Sequence, residues 1–287
     1  PPCPPDAKRY HDYSNIKLCC QLENWDCGVT CLQMILRWLR EHDNISTIGV
    51  DEMDSRKLTH QELIERDWIL QSIGVESIWT IDLVMLLQRL IDKEEFRTKL
   101  SFLFCSTKLG VDTSHGQLAY YIHAFQSDEF RVNELFRQAK AKEMPIKCYS
   151  RLELSQIINV VSDKNKCIAI VLLDNQFLNE RYSKLPRSLD KNNNNINKKS
   201  EVDTEEQISE EEPSIHPSKT GSYSGHYVIL CGVSSNPIHI ATAEKMDNIQ
   251  TLVDYCMVIK NPARSNETDY ITAELFTKAW RAEGTDQ

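Results

Sequence analysis

Nothing in this 287-residue sequence approaches the ~20 consecutive apolar residues that a membrane-crossing helix needs. No signal peptide is visible from Pro1 onward. Basic charge is not in excess either. Lys and Arg total 33 against 42 Asp and Glu, a formal charge of −9, which disfavours nucleic acid and anionic membranes as partners. The nine glycines form neither a phosphate-binding loop nor a G-x-G-x-x-G turn, and His-Glu-x-x-His is absent, so no cofactor and no metal is expected. No Cys-x-x-Cys pair or compact disulfide framework occurs among the ten cysteines, which points to a reduced, cytoplasmic chain. No internal repeat is visible.

What is there reads as an ordinary globular chain, 41% hydrophobic and 26% charged. Residues 1–16, opened by prolines, form a flexible lead, and 17–287 form one domain. Leu32, Ile35, Leu36 and Leu39 recur at helical spacing after Cys27, and further helices are expected at 60–72 and 77–90. A polar-surfaced helix follows at 129–142 and a short one at 152–160. Strands are expected at 101–107, 146–149, 167–173, 226–233 and 251–260, with a closing helix at 272–281. From about 175 to 222 the chain turns to Asn, Lys, Glu and Pro with few large apolar residues, a composition that cannot offset the entropy of ordering. It reads as a disordered insert. Helices first and strands afterwards make an α+β layout with a C-terminal antiparallel sheet.

The candidate chemistry centres on Cys27. At the first turn of a helix, unpaired N–H groups and the helix dipole favour a thiolate, and Gly28 beside it leaves room for a substrate. Most cysteines are simply small core residues, so Cys27 alone decides little. Gln21, six residues earlier, could aim its amide N–H at the point that the Cys27 backbone N–H faces, forming an oxyanion hole. Of the eight histidines, His226 opens the most apolar strand of the C-terminal half and is the candidate base. His239 lies in an alternating stretch and is expected to face solvent. If strands 226–233 and 254–261 pair antiparallel, residue 226 lies opposite residue 261, which makes Asn261 the candidate orienter. An Asn before a Pro is more often only a turn.

Gln21, Asn24-Trp25-Asp26-Cys27-Gly28 and Cys31-Leu32 resemble the nucleophile motif of papain-like peptidases that process bacteriocin leaders. Gly225-His226-Tyr227-Val228 resembles their histidine strand, and Asn261-Pro262 stands where they carry Asp-Pro. More closely, the chain resembles the guanylyl cyclase domain-containing protein 1 family and its plant guanylyl cyclase 1-like relatives. Ser77 to Leu83, Leu109-Gly110-Val111, Arg131 to Phe136 and Gly284-Thr285-Asp286 carry that likeness. The first resemblance implies a papain-like fold and a thiol hydrolase acting on a peptide or protein, with Cys27, His226, Asn261 and Gln21 as its catalytic set. An acyltransferase would use the same residues. The second implies cyclisation of GTP, against which stands the lack of a Gly-rich phosphate cradle or clustered metal-binding acids. A catalytically silent interaction module is the third reading.

Overall fold

The computed structural model describes residues 16–43, 66–92, 101–111, 125–162, 167–183, 223–247 and 254–285. The flexible lead, most of the insert, and His11, His60, His115, His123 and His216 lie outside the described residues. In chain order the elements are α1 (Cys27–Asp43), α2 (Arg66–Ile73), α3 (Thr80–Ile91), β1 (Phe104–Ser106), α4 (Phe125–Ala141), β2 (Ile146–Cys148), α5 (Leu154–Ser162) and β3 (Ala169–Asp174). They continue as α6 (Asn175–Ser183), β4 (Gly225–Ser234), α7 (Pro237–Asp247), β5 (Cys256–Lys260), β6 (Asp269–Thr272) and α8 (Ala273–Trp280). The class is α+β. The main sheet runs β3-β4-β5-β6, antiparallel throughout, and β1 and β2 form a small parallel pair.

Strand β4 is apolar from Tyr227 to Val233 because both its faces are covered. Tyr227, Ile229 and Cys231 meet Cys27, Cys31 and Met34 of α1 on one side. Val228, Leu230 and Val233 meet Ile158 of α5 and Phe276 and Trp280 of α8 on the other. Strict alternation would turn Val233 toward α1. A bulge between Leu230 and Gly232, with Gly232 at φ +154°, shifts the phase and returns Val233 to the α8 side. On its outer flank α1 buries Val29, Leu32 and Leu36 against Ile69 of α2 and Leu83, Leu86 and Leu90 of α3. Each such fully buried aliphatic side chain stabilises by about 1.5–3 kcal/mol before the entropy of ordering is subtracted. Helix α1 therefore sits between the helical layer and the sheet, which fixes its N-terminus against β4.

Expectation and structure differ in four places. The insert does not begin at residue 175. Helix α6 occupies 175–183, held by fully buried Leu178 and by Arg181, whose Nε lies 2.6 Å from Asp247 Oδ1. The alternating stretch around His239 is helix α7, begun by Pro237 at its first position with Asn236 Oδ1 accepting from Ile238 N at 2.9 Å. His239 accordingly does not simply face solvent. It is half-buried, stacks on the Tyr270 ring at 4.0 Å and shares a 2.8 Å hydrogen bond with Ser234 Oγ. Strand β6 was not anticipated. The helix expected from residue 77 begins only at Thr80, where the Asp82 carboxylate accepts from Trp79 N at 2.8 Å.

Several residues behind the second resemblance form one polar lock between α3 and α4. Arg131 pairs with Asp82 and, at 3.1 Å, with Asp128, and donates to Ser77 O at 3.0 Å. Trp79 Nε1 donates to Asp128 at 3.0 Å. Burial raises the Asp82 carboxyl above its ordinary range, and the Arg131 contact works against that rise.

Candidate functional site

Loop 21–26 is shaped by one carboxylate. Asp26, fully buried, accepts from Leu22 N at 3.3 Å and Glu23 N at 3.2 Å and pairs with Arg66 Nε at 2.5 Å. Its own carbonyl accepts from Thr30 N at 2.9 Å, which starts α1 with Cys27 in the first turn, as the sequence suggested. The loop is tied to the far end of β5 by Gln21 N, which donates to Pro262 O at 2.9 Å. Through that bond the Gln21 segment and the Asn261 turn are neighbours.

Cys27 is 4% exposed, and its sulfur accepts from Tyr227 N at 3.4 Å. Burial pushes its thiol up from the ordinary value, and the backbone hydrogen bonds of Tyr227 and Gly28 oppose that rise only in part. Burial thus works against the thiolate expected from the helix start. Among the described residues no hydrogen bond joins Cys27 to the His226 ring. Gly28 has a different reason from the one inferred. A Cβ there would lie 3.0 Å from the Tyr227 ring and 3.3 Å from Leu83, so the glycine admits Tyr227 rather than a substrate. Tyr227 is held in turn by a 2.7 Å hydrogen bond between its hydroxyl and Thr80 Oγ1.

His226 and Asn261 are brought together, though by another register. Ile229 pairs with Lys260 and His226 pairs across β3 with Leu173, so residues 226 and 261 are not opposite each other. The side chains still meet, with His226 Nε2 2.8 Å from Asn261 Oδ1. The turn at Asn261-Pro262 supplies the reach. Asn261 Oδ1 also accepts from Ala263 N at 3.0 Å, and Arg264 N donates to Asn261 O at 3.0 Å. A backbone N–H can only donate, so the Asn261 atom facing it is the oxygen. His226 Nε2 must then carry the hydrogen, which leaves the Nδ1 lone pair as the basic position. Burial lowers the imidazole below its ordinary value of 6.5, and Asn261 opposes that shift, so the ring is neutral near pH 7.

Gln21 lies at this junction without contacting the pair. Its Nε2 donates to Glu23 O at 2.9 Å, and its Oε1 is buried without a hydrogen-bond partner. Beside Asn261, the half-buried Arg264 guanidinium sits 4.0 Å over the Tyr182 ring. Among the described residues, no group of three or more His, Cys, Asp or Glu side chains is gathered as a metal site, and no helix is long and apolar enough to cross a membrane.

Sequence reasoning missed Tyr182 and Asp269. The Asn261 Nδ2 donates to Tyr182 Oη at 3.3 Å, and Tyr182 donates to Asp269 Oδ2 at 2.6 Å. Tyr182 was hidden in the polar stretch read as disordered, where the apolar members Phe177 and Leu178 were the available signal.

Among known proteins, a family profile described as guanylylate cyclase matches residues 16–287. The Arabidopsis thaliana protein named Guanylyl cyclase 1 is 23% identical over 267 residues, which is 93% of this chain and 71% of that protein. No solved structure matches. These matches overturn the expectation of a thiol hydrolase, and they weigh against the expectation that GTP is not cyclised. The burial of the Cys27 sulfur, which raises its thiol, is in keeping with that correction.

Proposed function

Because the chain belongs to the family described as guanylylate cyclase, we propose that it converts GTP to cyclic GMP, with His226 as the base. In this reaction the ribose 3′-hydroxyl oxygen attacks the α-phosphorus. The new O–P bond forms as the bond to the β-phosphate bridging oxygen breaks, and pyrophosphate leaves with the electron pair. The 3′-hydroxyl proton goes to a base. The observation that carries this reading is the family match over residues 16–287, in step with the name of the Arabidopsis relative.

The His226 site supports it chemically. A neutral imidazole with Nε2–H held by Asn261 presents Nδ1 as a proton acceptor, and general bases of this type contribute about 10²–10⁴-fold. A Gly-rich loop is one way to hold phosphates; a guanidinium is another, by charge-assisted hydrogen bonds. Arg264 stands beside Asn261 in a position to serve so. The described residues do not compose a metal centre. The packing of α1 against the sheet supports a papain-like architecture, and one fold can carry unrelated chemistries.

The test is a direct assay. The full chain with GTP and Mg²⁺ or Mn²⁺ should form cyclic GMP above a boiled control. Cys27→Ser should keep most of that activity, and His226→Ala should lose about 10²-fold or more. Absence of product, or activity lost with Cys27→Ser and kept with His226→Ala, would overturn the proposal.

A further inference from the structure

Behind the His226–Asn261 contact runs a hydrogen-bonded line whose direction is fixed at both ends. At one end is the Asp269 carboxylate, 4% exposed, which in its ionised form can only accept. Tyr182 therefore donates its hydroxyl hydrogen to Asp269, at 2.6 Å. Burial, with the Asp269 charge next, pushes the Tyr182 phenol well above its ordinary value, so the hydrogen stays available to donate. With its hydrogen committed, Tyr182 Oη turns a lone pair to Asn261 and accepts from Nδ2 at 3.3 Å. The Asn261 oxygen is thereby turned the other way, toward His226 Nε2 at 2.8 Å and Ala263 N at 3.0 Å. At this second end the Ala263 N–H can only donate, so both termini demand the same amide orientation.

We infer that Tyr182 and Asp269 are positioning residues that set the tautomer of His226, keeping hydrogen on Nε2 and the lone pair on Nδ1. An asparagine amide is nearly symmetric in shape, and its two ends differ in what they ask of the imidazole. Amide oxygen toward Nε2 requires Nε2–H; amide nitrogen toward Nε2 requires a lone pair there and moves the hydrogen to Nδ1, which ends its use as a base. The line is braced on both sides. Tyr182 lies in α6, fastened by buried Leu178 and by the Arg181 ion pair to Asp247 at 2.6 Å. Arg264 covers the Tyr182 ring at 4.0 Å. Asp269 opens β6, opposite Ile259 of β5, so the sheet itself holds the accepting end.

The inference rests on His226 being the base of the proposed reaction, but its direct readout does not require turnover. Long-range ¹H–¹⁵N spectra of the imidazole near pH 7 report which nitrogen carries hydrogen in the full chain. Wild type should show His226 as the Nε2–H form. Asp269→Asn can donate to Tyr182, freeing the phenol hydrogen to seek the Asn261 oxygen and so favouring the inverted amide. Tyr182→Phe removes the acceptor altogether and keeps the ring under Arg264. Both variants should acquire an Nδ1–H population, incomplete because Ala263 N–H resists inversion. Their kcat for cyclic GMP should fall about ten- to a hundredfold with KM little changed, the usual loss when an outer hydrogen-bond partner is removed. If wild type is the Nδ1–H form, or if neither variant shifts the tautomer, the inference is overturned, whatever the activity. If the tautomer shifts while no protein forms cyclic GMP, the positioning role stands and the cyclase reading falls.

Discussion

Asp26 and Asp269 are both buried carboxylates within the same site, and their partners are arranged differently. Asp26 receives Leu22 N, Glu23 N and the Arg66 guanidinium together, donors from two segments that converge on it and lead no further. Asp269 receives the Tyr182 hydroxyl, and the contact continues through Asn261 to His226. Convergent donors make an anchor: they fix a loop and satisfy a buried charge. A donor that is itself an acceptor makes a relay, which transmits direction while contributing less to stability. The N-terminal part of the site is thus built to stay in place, and the C-terminal part to hold a proton in place.

Substitutions at the two carboxylates should separate these roles. Asp26→Ala leaves Arg66 and two loop N–H groups without their acceptor, and thermal or denaturant unfolding should show a loss of about 3–5 kcal/mol. Leu178→Ala tests whether the relay depends on α6. It should cost about 2–5 kcal/mol for a fully buried leucine, and loss of cyclic GMP formation beyond that explained by unfolding would tie α6 to the site. Gly28→Ala forces a methyl into the Tyr227 ring and should cost about 1–3 kcal/mol. Asp269→Asn, nearly the same in shape, should change stability by about 1 kcal/mol or less while lowering turnover. A stability loss as large as that of Asp26→Ala would erase the distinction between anchor and relay.

The smallest effect is on pH dependence. The folded-state pKa of His226 is lowered, so the unfolded chain binds its proton more readily. The stability this ring contributes is fully present above its unfolded value, about 6.5, and is lost as pH falls through the lower folded value. Melting temperature measured across that window should fall with acid in wild type. The slope should be shallower in His226→Gln.

Much of the site was legible because its residues stand at places that physical chemistry marks. Cys27 opens a helix whose apolar period is plain, and His226 opens a strand buried on both faces. Asn261 was found by assuming that the strand ends face each other, whereas Ile229 pairs with Lys260, an offset that residue spacing does not reveal. It meets His226 because an asparagine-proline turn reaches past the strand end. Tyr182 was missed because α6 has weak amphipathic character and adjoins an Asn- and Lys-rich stretch. Helix α7 could have been found, as Asn236-Pro237 is a cap followed by a first-turn proline. How strongly burial acts on the Cys27 thiol was not legible at all. It depends on how deeply α1 is pressed against β4, and burial there works against the helix start.

The central claim is that a neutral His226, not Cys27, accepts the proton as GTP is cyclised. Its most direct test follows cyclic GMP and pyrophosphate together from GTP labelled on both the α- and γ-phosphates between pH 5 and 8, in wild type and in His226→Ala. Equal amounts of the two products are predicted, with an acid limb falling below the ordinary imidazole value of about 6.5 because the folded ring is harder to protonate. That limb should vanish with the residual activity of His226→Ala. No product at any pH, or the same limb persisting without His226, would contradict the account.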